Sequence, residues 1–117
     1  MKALFVCSQN RLRSPTAERV FFNRAGLEVR SAGTDREADN PISRDDIEWA
    51  DIVFVMEKRH RNKLHAMFKD LYESKRIVCL FIPDEYEFMQ PELVKLLQAK
   101  VEPYLEHLLN PSETTAT

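Results

Sequence analysis

The stretch Cys7-Ser8-Gln9-Asn10-Arg11-Leu12-Arg13-Ser14 joins a short apolar run, Ala3-Leu4-Phe5-Val6, to a helical pattern that begins near Pro15. A continuous apolar run is typical of a buried parallel strand, and proline is well tolerated at the first helical position. The stretch therefore predicts a strand, a tight loop and a helix, in that order. Cys7 lies at the end of the strand, and Arg13 follows after five intervening residues.

This loop carries the residue types that bind an oxyanion. Backbone amides converge where a loop enters a helix, and the helix dipole favours negative charge there. Arg13 can bind two oxyanion oxygens at once, and Cys7 is expected to ionise readily in the same positive field. A thiolate beside a bound phosphate is a nucleophile aimed at phosphorus. We therefore expect Cys7 to be catalytic and not a buried, inert cysteine.

Three segments of the chain resemble one enzyme family. The segment from Val6 to Glu18 is similar to the signature loop of the low-molecular-weight protein tyrosine phosphatases. Ser31-Ala32-Gly33-Thr34 resembles the end of the family's second strand, and the segment from Ala50 to Met56 resembles its third strand. The chain is identified as a shortened, divergent member. The resemblance implies a phosphomonoester hydrolase, a protein tyrosine phosphatase that forms a phosphocysteine on Cys7 while Arg13 binds the phosphate.

The resemblance also assigns roles within the loop. Asn10 matches the family's structural asparagine, and it is expected to have a positive φ because the loop contains no glycine. Ser14 is expected to donate a hydrogen bond to the sulfur of Cys7. Gln9 stands where the family usually has glycine, and Leu12 where a second cysteine is frequent. The expected phosphate-binding loop comprises Ser8, Gln9, Asn10, Arg11, Leu12 and Ser14.

A second candidate segment, Ile82-Pro83-Asp84-Glu85-Tyr86, follows the predicted fourth strand. Release of an alkoxide or phenoxide needs an acid that protonates the leaving oxygen. The family has an Asp-Pro-Tyr turn at this place. The resemblance therefore implies that Asp84 is the general acid and base and that Tyr86 forms a wall of the substrate pocket. Glu85 replaces the proline, and it is both a pocket residue and the competing acid.

Hydrophobic periodicity predicts alternating strands and helices along the rest of the chain. Ser14 and Gly26 are expected to bound the first helix, and Pro103 should kink or split the last one. The other predicted strands cover residues 27–32, 51–56 and 76–82, and the other predicted helices cover residues 43–49, 58–71 and 90–109. We expect a single-domain α/β three-layer sandwich over residues 1–109, with a four-stranded parallel sheet flanked by helices. Residues 110–117 are expected to form a flexible tail.

Composition limits the function further. The chain has 117 residues and a net charge of −2, which argues against nucleic-acid binding by bulk electrostatics. No apolar run reaches the length of a membrane helix, so we expect no membrane contact and a cytoplasmic protein. Two cysteines give no disulfide framework, and the histidines lack metal-ligand spacing. We expect no metal and no cofactor, with a monomer as the default state. The basic run 57–63 is interpreted as the exposed face of a helix.

The sequence is compatible with more than one substrate and more than one function. The expected substrates are phosphorylated proteins or small aryl phosphates, and Arg11 either favours acidic substrates or is a solvated rim charge. A thiol-dependent arsenate reductase would use the same loop, but it needs a resolving thiol, for which Cys79 is poorly placed. A non-catalytic phosphate-binding or phosphoprotein-binding module is the third possibility. The segment 34–41, shorter than in the family, is expected to change the pocket rim.

Overall fold

A parallel sheet forms the centre of the fold. Its strands, in the order β2-β1-β3-β4, are β1 (Lys2–Cys7), β2 (Glu28–Gly33), β3 (Ile52–Val55) and β4 (Arg76–Cys79). The helices are α1 (Arg13–Phe21), α2 (Arg44–Trp49), α3 (Lys58–Met67), α4 (Lys69–Tyr72) and α5 (Pro91–Leu109). The structure, a computed structural model, describes residues 1–110. It confirms the α/β class and the four-stranded parallel sheet. The predicted tail lies outside the described residues, apart from Asn110.

The sheet separates two apolar cores. Side chains alternate between the faces of a strand, so Phe5 enters the first core with α1 and α5, whereas Leu4 enters the second core with α2 and α3. Phe5 stacks between Phe21 and Phe54, with ring centroids 5.8 and 5.3 Å away. Because both faces are covered, β1 is almost entirely apolar, as the sequence predicts.

The register brings several strand ends to one edge of the sheet. Cys7 pairs with Gly33 of β2, and Val6 pairs with Val55 of β3, which in turn pairs with Cys79 of β4. The loops that leave these strands therefore meet beyond this edge, where ligands bind in open parallel sheets. No helix within residues 1–110 combines the length and the apolarity required to cross a bilayer.

The first helix differs from the prediction at both ends. It begins at Arg13 with Leu12 at the N-cap, so Ser14 lies inside the first turn and is not the cap. Its hydroxyl contacts Cys7 and Asn10 instead of capping the helix. The helix ends at Phe21, and turns lead to Gly26, whose φ of 79° redirects the chain into β2.

Two further boundaries and one proline correct the prediction. The helix expected over residues 58–71 ends at Met67, because Phe68 leaves the helical conformation and its ring packs in the second core, and Met67 is exposed. The fourth strand ends at Cys79, although the amides of Leu80 and Ile82 still donate to the carbonyls of Val55 and Met56; Phe81 between them has a positive φ of 54°, which is not strand geometry. Helix α5 runs through Pro103 without being split, since its buried stripe is anchored on both sides of the proline by Leu93, Leu97, Val101 and Leu105.

Candidate active site

A cavity of about 180 Å³ lies at the edge of the sheet where Cys7 ends β1. The loop after β1 forms its floor and one wall. The segment after β2, the first turn of α3 and the segment after β4 complete it. The lining residues are Cys7, Ser8, Gln9, Arg11, Leu12, Arg13, Asp35, Arg59 and Asp84. Nearly all of these residues are polar or charged, so the cavity suits an anionic group better than an apolar one.

The loop between Cys7 and Arg13 holds a conformation that exposes backbone donors. Asn10 has a φ of 56°, the positive value expected for it, and this places its buried side chain under the loop. Within residues 1–110, the amides of residues 8–12 donate no hydrogen bond to a protein acceptor. Consecutive free amides that converge at a helix N-terminus are typical of an anion-binding nest.

Ser14 connects the nucleophile candidate to the rest of the loop. Its Oγ lies 2.9 Å from Cys7 Sγ, and it accepts a hydrogen bond of 3.0 Å from Asn10 Nδ2. Its other neighbour is the carbonyl oxygen of Ala32, 3.4 Å away. The single hydroxyl hydrogen of Ser14 can therefore point at sulfur, where it would stabilise a thiolate, or at the Ala32 carbonyl when sulfur carries another group.

Arg13 is fixed in place although its side chain is only 2% exposed. Its Nη1 donates to the Ile82 carbonyl at 2.8 Å and lies 3.0 Å from Glu57 Oε2. Its Nε lies 3.7 Å from Asp84 Oδ1. Because three contacts from two segments hold the guanidinium, it enters the cavity in one orientation, with further N–H groups available to bind an oxyanion.

The first turn of α3 is a part of the site that the sequence analysis missed. Glu57 contacts Arg13, and Arg59 lines the cavity and lies 2.7 Å from Glu57 Oε2. His60 is buried, and its Nε2 lies 2.8 Å from Ser8 Oγ. The interpretation of residues 57–63 as an exposed helix face is therefore wrong at Glu57 and His60. Their position directly after β3, at the same edge as Cys7, is the signal that could have identified them.

The environment lowers the pKa of both His60 and Glu57. Burial, followed by the charges of Arg13 and Arg59, lowers the pKa of His60 from 6.5 to about 4. Burial alone would raise the pKa of Glu57, but hydrogen bonds from Arg13 and Arg59 outweigh it and lower that pKa below its ordinary value. At neutral pH, His60 is therefore neutral and Glu57 is ionised.

The segment after β4 reaches the cavity through one of its three candidate residues. Asp84 lines the cavity, whereas Glu85 and Tyr86 do not. Tyr86 instead packs against the first core. Lys100 of α5 donates to the Leu80 carbonyl at 2.7 Å, which holds the start of this segment to the helix.

The rim carries charges of both signs. Arg11 is exposed and lies 3.2 Å from Asp39, and Lys63 lies 3.2 Å from Asp35. The segment after β2 is tied over the loop, since the amides of Asp35 and Asp39 donate to the carbonyls of Ser8 and Gln9. Among residues 1–110, no group of three or more His, Cys, Asp or Glu side chains has an arrangement that could hold a metal ion.

Comparison with known proteins agrees with this geometry. The sequence model of the low molecular weight phosphotyrosine protein phosphatase family matches residues 2–49. Comparison with curated protein sequences gives no significant match. The matched segment contains β1, the loop after it, α1, β2 and α2, and it ends before β3 and β4.

Solved structures share the fold over nearly the whole chain. A low molecular weight protein tyrosine phosphatase from Streptococcus pyogenes has a TM-score of 0.79 at 19% identity, over 97% of each chain. A low molecular weight phosphotyrosine phosphatase from Vibrio cholerae has a TM-score of 0.78 at 17% identity, over 95% of this chain and 98% of the other. The YwlE arginine phosphatase from Geobacillus stearothermophilus has a TM-score of 0.66 at 21% identity, over 97% of this chain and 94% of the other.

These findings confirm the resemblance inferred from the sequence. The family pattern covers residues 2–49, which include the whole Cys7 loop, and the fold of the low molecular weight phosphatases extends over the described chain.

Proposed function

We propose, from the low-molecular-weight phosphatase pattern and fold of this chain, that it hydrolyses phosphomonoesters through a phosphocysteine formed on Cys7. The observation that carries the proposal is the cavity itself. Cys7, Arg13 and Asp84 line one space of about 180 Å³, over a loop whose amides 8–12 donate to no acceptor within residues 1–110. A nucleophile, a fixed cation, a carboxyl group and free amide donors are what phosphoryl transfer through an enzyme thiolate requires.

The first step transfers the phosphoryl group to sulfur. The Cys7 thiolate attacks phosphorus, so that an S–P bond forms while the P–O bond of the ester breaks. The loop amides and Arg13 bind the equatorial oxygens, where charge accumulates. Asp84, protonated at this stage, gives its proton to the leaving oxygen.

The second step regenerates the enzyme. Asp84, now a carboxylate, takes a proton from water, whose oxygen attacks phosphorus and breaks the S–P bond. Inorganic phosphate leaves and the thiolate returns, stabilised by the hydroxyl of Ser14 at 2.9 Å. Asp84 is preferred to Glu85 for this role, because Asp84 lines the cavity and Glu85 does not.

Phosphotyrosine in proteins and small aryl phosphates are the substrates we propose. Leu12 supplies an apolar wall, but Tyr86, the expected aromatic wall, packs against the core. The other walls bear Gln9, Asp35 and Arg59, so the cavity also offers carboxylates to a cationic or polar leaving group. One solved structure of this fold is an arginine phosphatase, and phosphoarginine is therefore the second candidate substrate.

The two other functions considered from the sequence are less well supported. Arsenate reduction through a disulfide would need Cys79 near Cys7. Strand β3 lies between their strands, so two strand spacings, together about 10 Å, separate them. A disulfide allows at most about 7 Å between the two Cα atoms. Cys7 also faces the first core and Cys79 the second. A carboxyl group that lines the cavity disfavours simple anion binding, so Asp84 makes a non-catalytic phosphate-binding module the weaker hypothesis.

A pair of cysteine variants tests the proposal. Cys7→Ser should abolish turnover of an aryl phosphate, whereas Cys79→Ser, the matched control in β4, should keep it. A panel of phosphotyrosine peptide, phenyl phosphate, phosphoserine peptide and phosphoarginine then ranks the substrates by kcat/KM. Turnover retained by Cys7→Ser would rule out the phosphocysteine, and phosphate binding without turnover of any substrate would favour the binding module.

A further inference from the structure

The buried imidazole of His60 contacts a hydroxyl of the phosphate cavity. His60 Nε2 lies 2.8 Å from Ser8 Oγ, and Ser8 lines the same cavity as Cys7 and Arg13. The His60 side chain is only 1% exposed, so this contact is shielded from water. The mechanism described above uses neither side chain.

A backbone hydrogen bond fixes the tautomer of His60. The amide of Glu57 donates to His60 Nδ1 at 3.0 Å, so Nδ1 must be the unprotonated nitrogen. A neutral imidazole carries one N–H, which therefore lies on Nε2. His60 thus donates to Ser8 Oγ, and Ser8 is the acceptor in this pair.

This direction of donation determines what Ser8 can do. Its oxygen accepts from His60, and within residues 1–110 its hydroxyl makes no other hydrogen bond with the protein. The hydroxyl hydrogen remains available, and it is directed away from His60 because that side of the oxygen is occupied. The open side is the cavity, which Ser8 lines.

We propose that Ser8 donates its hydroxyl hydrogen to a phosphoryl oxygen bound over Cys7, and that His60 is the positioning residue that sets the direction of this hydroxyl. Ser8 thereby adds a side-chain donor to the backbone amides and Arg13. The turn that holds His60 also holds Arg13 through Glu57, so one helix start supports both ends of the loop. The proposal rests on the proposed function for its substrate, but its binding step concerns inorganic phosphate as well.

Phosphate affinity measures this donor directly. We would titrate the wild type, Ser8→Ala, His60→Asn, His60→Gln and the double variant Ser8→Ala/His60→Asn with inorganic phosphate by calorimetry, and determine KM and kcat separately. Asparagine can still accept from the Glu57 amide but does not reach Ser8, whereas glutamine places a donor near the Nε2 position. His65→Asn, on the exposed side of α3, is the matched control.

The expected results form a double-mutant cycle. Ser8→Ala should weaken phosphate binding about 10-fold to 100-fold, the usual effect of losing a hydrogen bond to a charged group. His60→Asn should weaken it about 2-fold to 10-fold, because an unheld hydroxyl must be ordered on binding, and His60→Gln should restore part of the loss. In the Ser8→Ala background, His60→Asn should have no further effect. His65→Asn should match the wild type.

Three results would overturn the proposal. The first is a Ser8→Ala variant that binds phosphate as tightly as the wild type. The second is an effect of His60→Asn that is equal with and without Ser8, which is the behaviour of a residue with only a structural role. The third is a nitrogen NMR spectrum of the wild type that places the proton of His60 on Nδ1. This measurement does not depend on the folding of any variant. A chain that shows the predicted cycle with phosphate but hydrolyses nothing would refute the proposed function and leave this inference standing.

Discussion

Lowering the pH from 7 to 5 should destabilise the fold through His60. The folded-state pKa of His60 is about 4, because burial and the charges of Arg13 and Arg59 disfavour the imidazolium more than Glu57 and Asp35 favour it. In the unfolded chain the group has its ordinary pKa of about 6.5. Between these values the unfolded state binds more protons than the folded state, so stability rises with pH and falls as the pH drops below about 6.5.

The size of the effect follows from these two values. Linkage from a pKa of 6.5 to one of about 4 gives a loss of about 2 kcal/mol between pH 7 and pH 5. The full difference, about 3 kcal/mol, is reached only below pH 4. The side chain is 1% exposed, so screening by solvent reduces this value little. Two kcal/mol is a large part of the stability of a domain of this size.

Urea unfolding at pH 7, 6, 5.5 and 5 measures this loss. His60→Gln removes the titrating group, so it should lose about 2 kcal/mol less than the wild type between pH 7 and pH 5. His65→Gln, with its ring exposed on the same helix, should behave as the wild type does. Proton NMR of the His60 ring gives the folded pKa independently. A ring that titrates near 6.5, or equal losses in the wild type and His60→Gln, would refute the reasoning.

Three more perturbations follow from the site. Gly33→Ala should cost about 1 to 3 kcal/mol in urea unfolding, because the new Cβ would lie 2.5 Å from the Ser8 carbonyl and from Ala38 Cβ; unchanged stability would contradict the tight packing. Asp84→Asn should lower kcat on phenyl phosphate about 10²-fold to 10⁴-fold, and Glu85→Gln should lower it much less; the reverse order would make Glu85 the acid. Asn10→Ala should destabilise the protein by about 1 to 2 kcal/mol, because alanine is strained at the φ of 56° that Asn10 adopts. In the same unfolding assay Asn10→Gly should lose much less, and equal losses would exclude backbone strain as the cause.

The fold was largely predictable because its signals are local. A continuous apolar run identified β1, and the capping box of Ser43 and Asp46 at the start of α2 supports the boundary expected at Ser43. The errors lie where tertiary packing overrides local pattern. Phe68 continues the helical periodicity of α3, but it leaves the helix and buries its ring. Ser14 is of a residue type that often caps helices, but its hydroxyl contacts the sulfur of Cys7.

Only the part of the site that is formed by contiguous residues could be predicted from the sequence. The loop from Cys7 to Arg13 is a short motif, and its structural asparagine has the expected positive φ. The contacts of Glu57 and His60 with this loop connect residues some 50 positions apart, and they are indicated only by the position of both residues directly after β3, once the strand order is known. Tyr86 was expected in the pocket from the family turn, but it packs against the first core, and this long-range packing is not encoded in the local sequence.

Trapping the covalent intermediate tests the central claim most directly. The wild type would be mixed with an aryl phosphate, quenched in acid within the first turnover and digested, and the peptides analysed by mass spectrometry. The phosphocysteine mechanism predicts a phosphoryl group on the peptide that contains Cys7, appearing before free phosphate and decaying as phosphate is released. Turnover with that peptide unmodified, or with the phosphoryl group on another side chain, would contradict the mechanism.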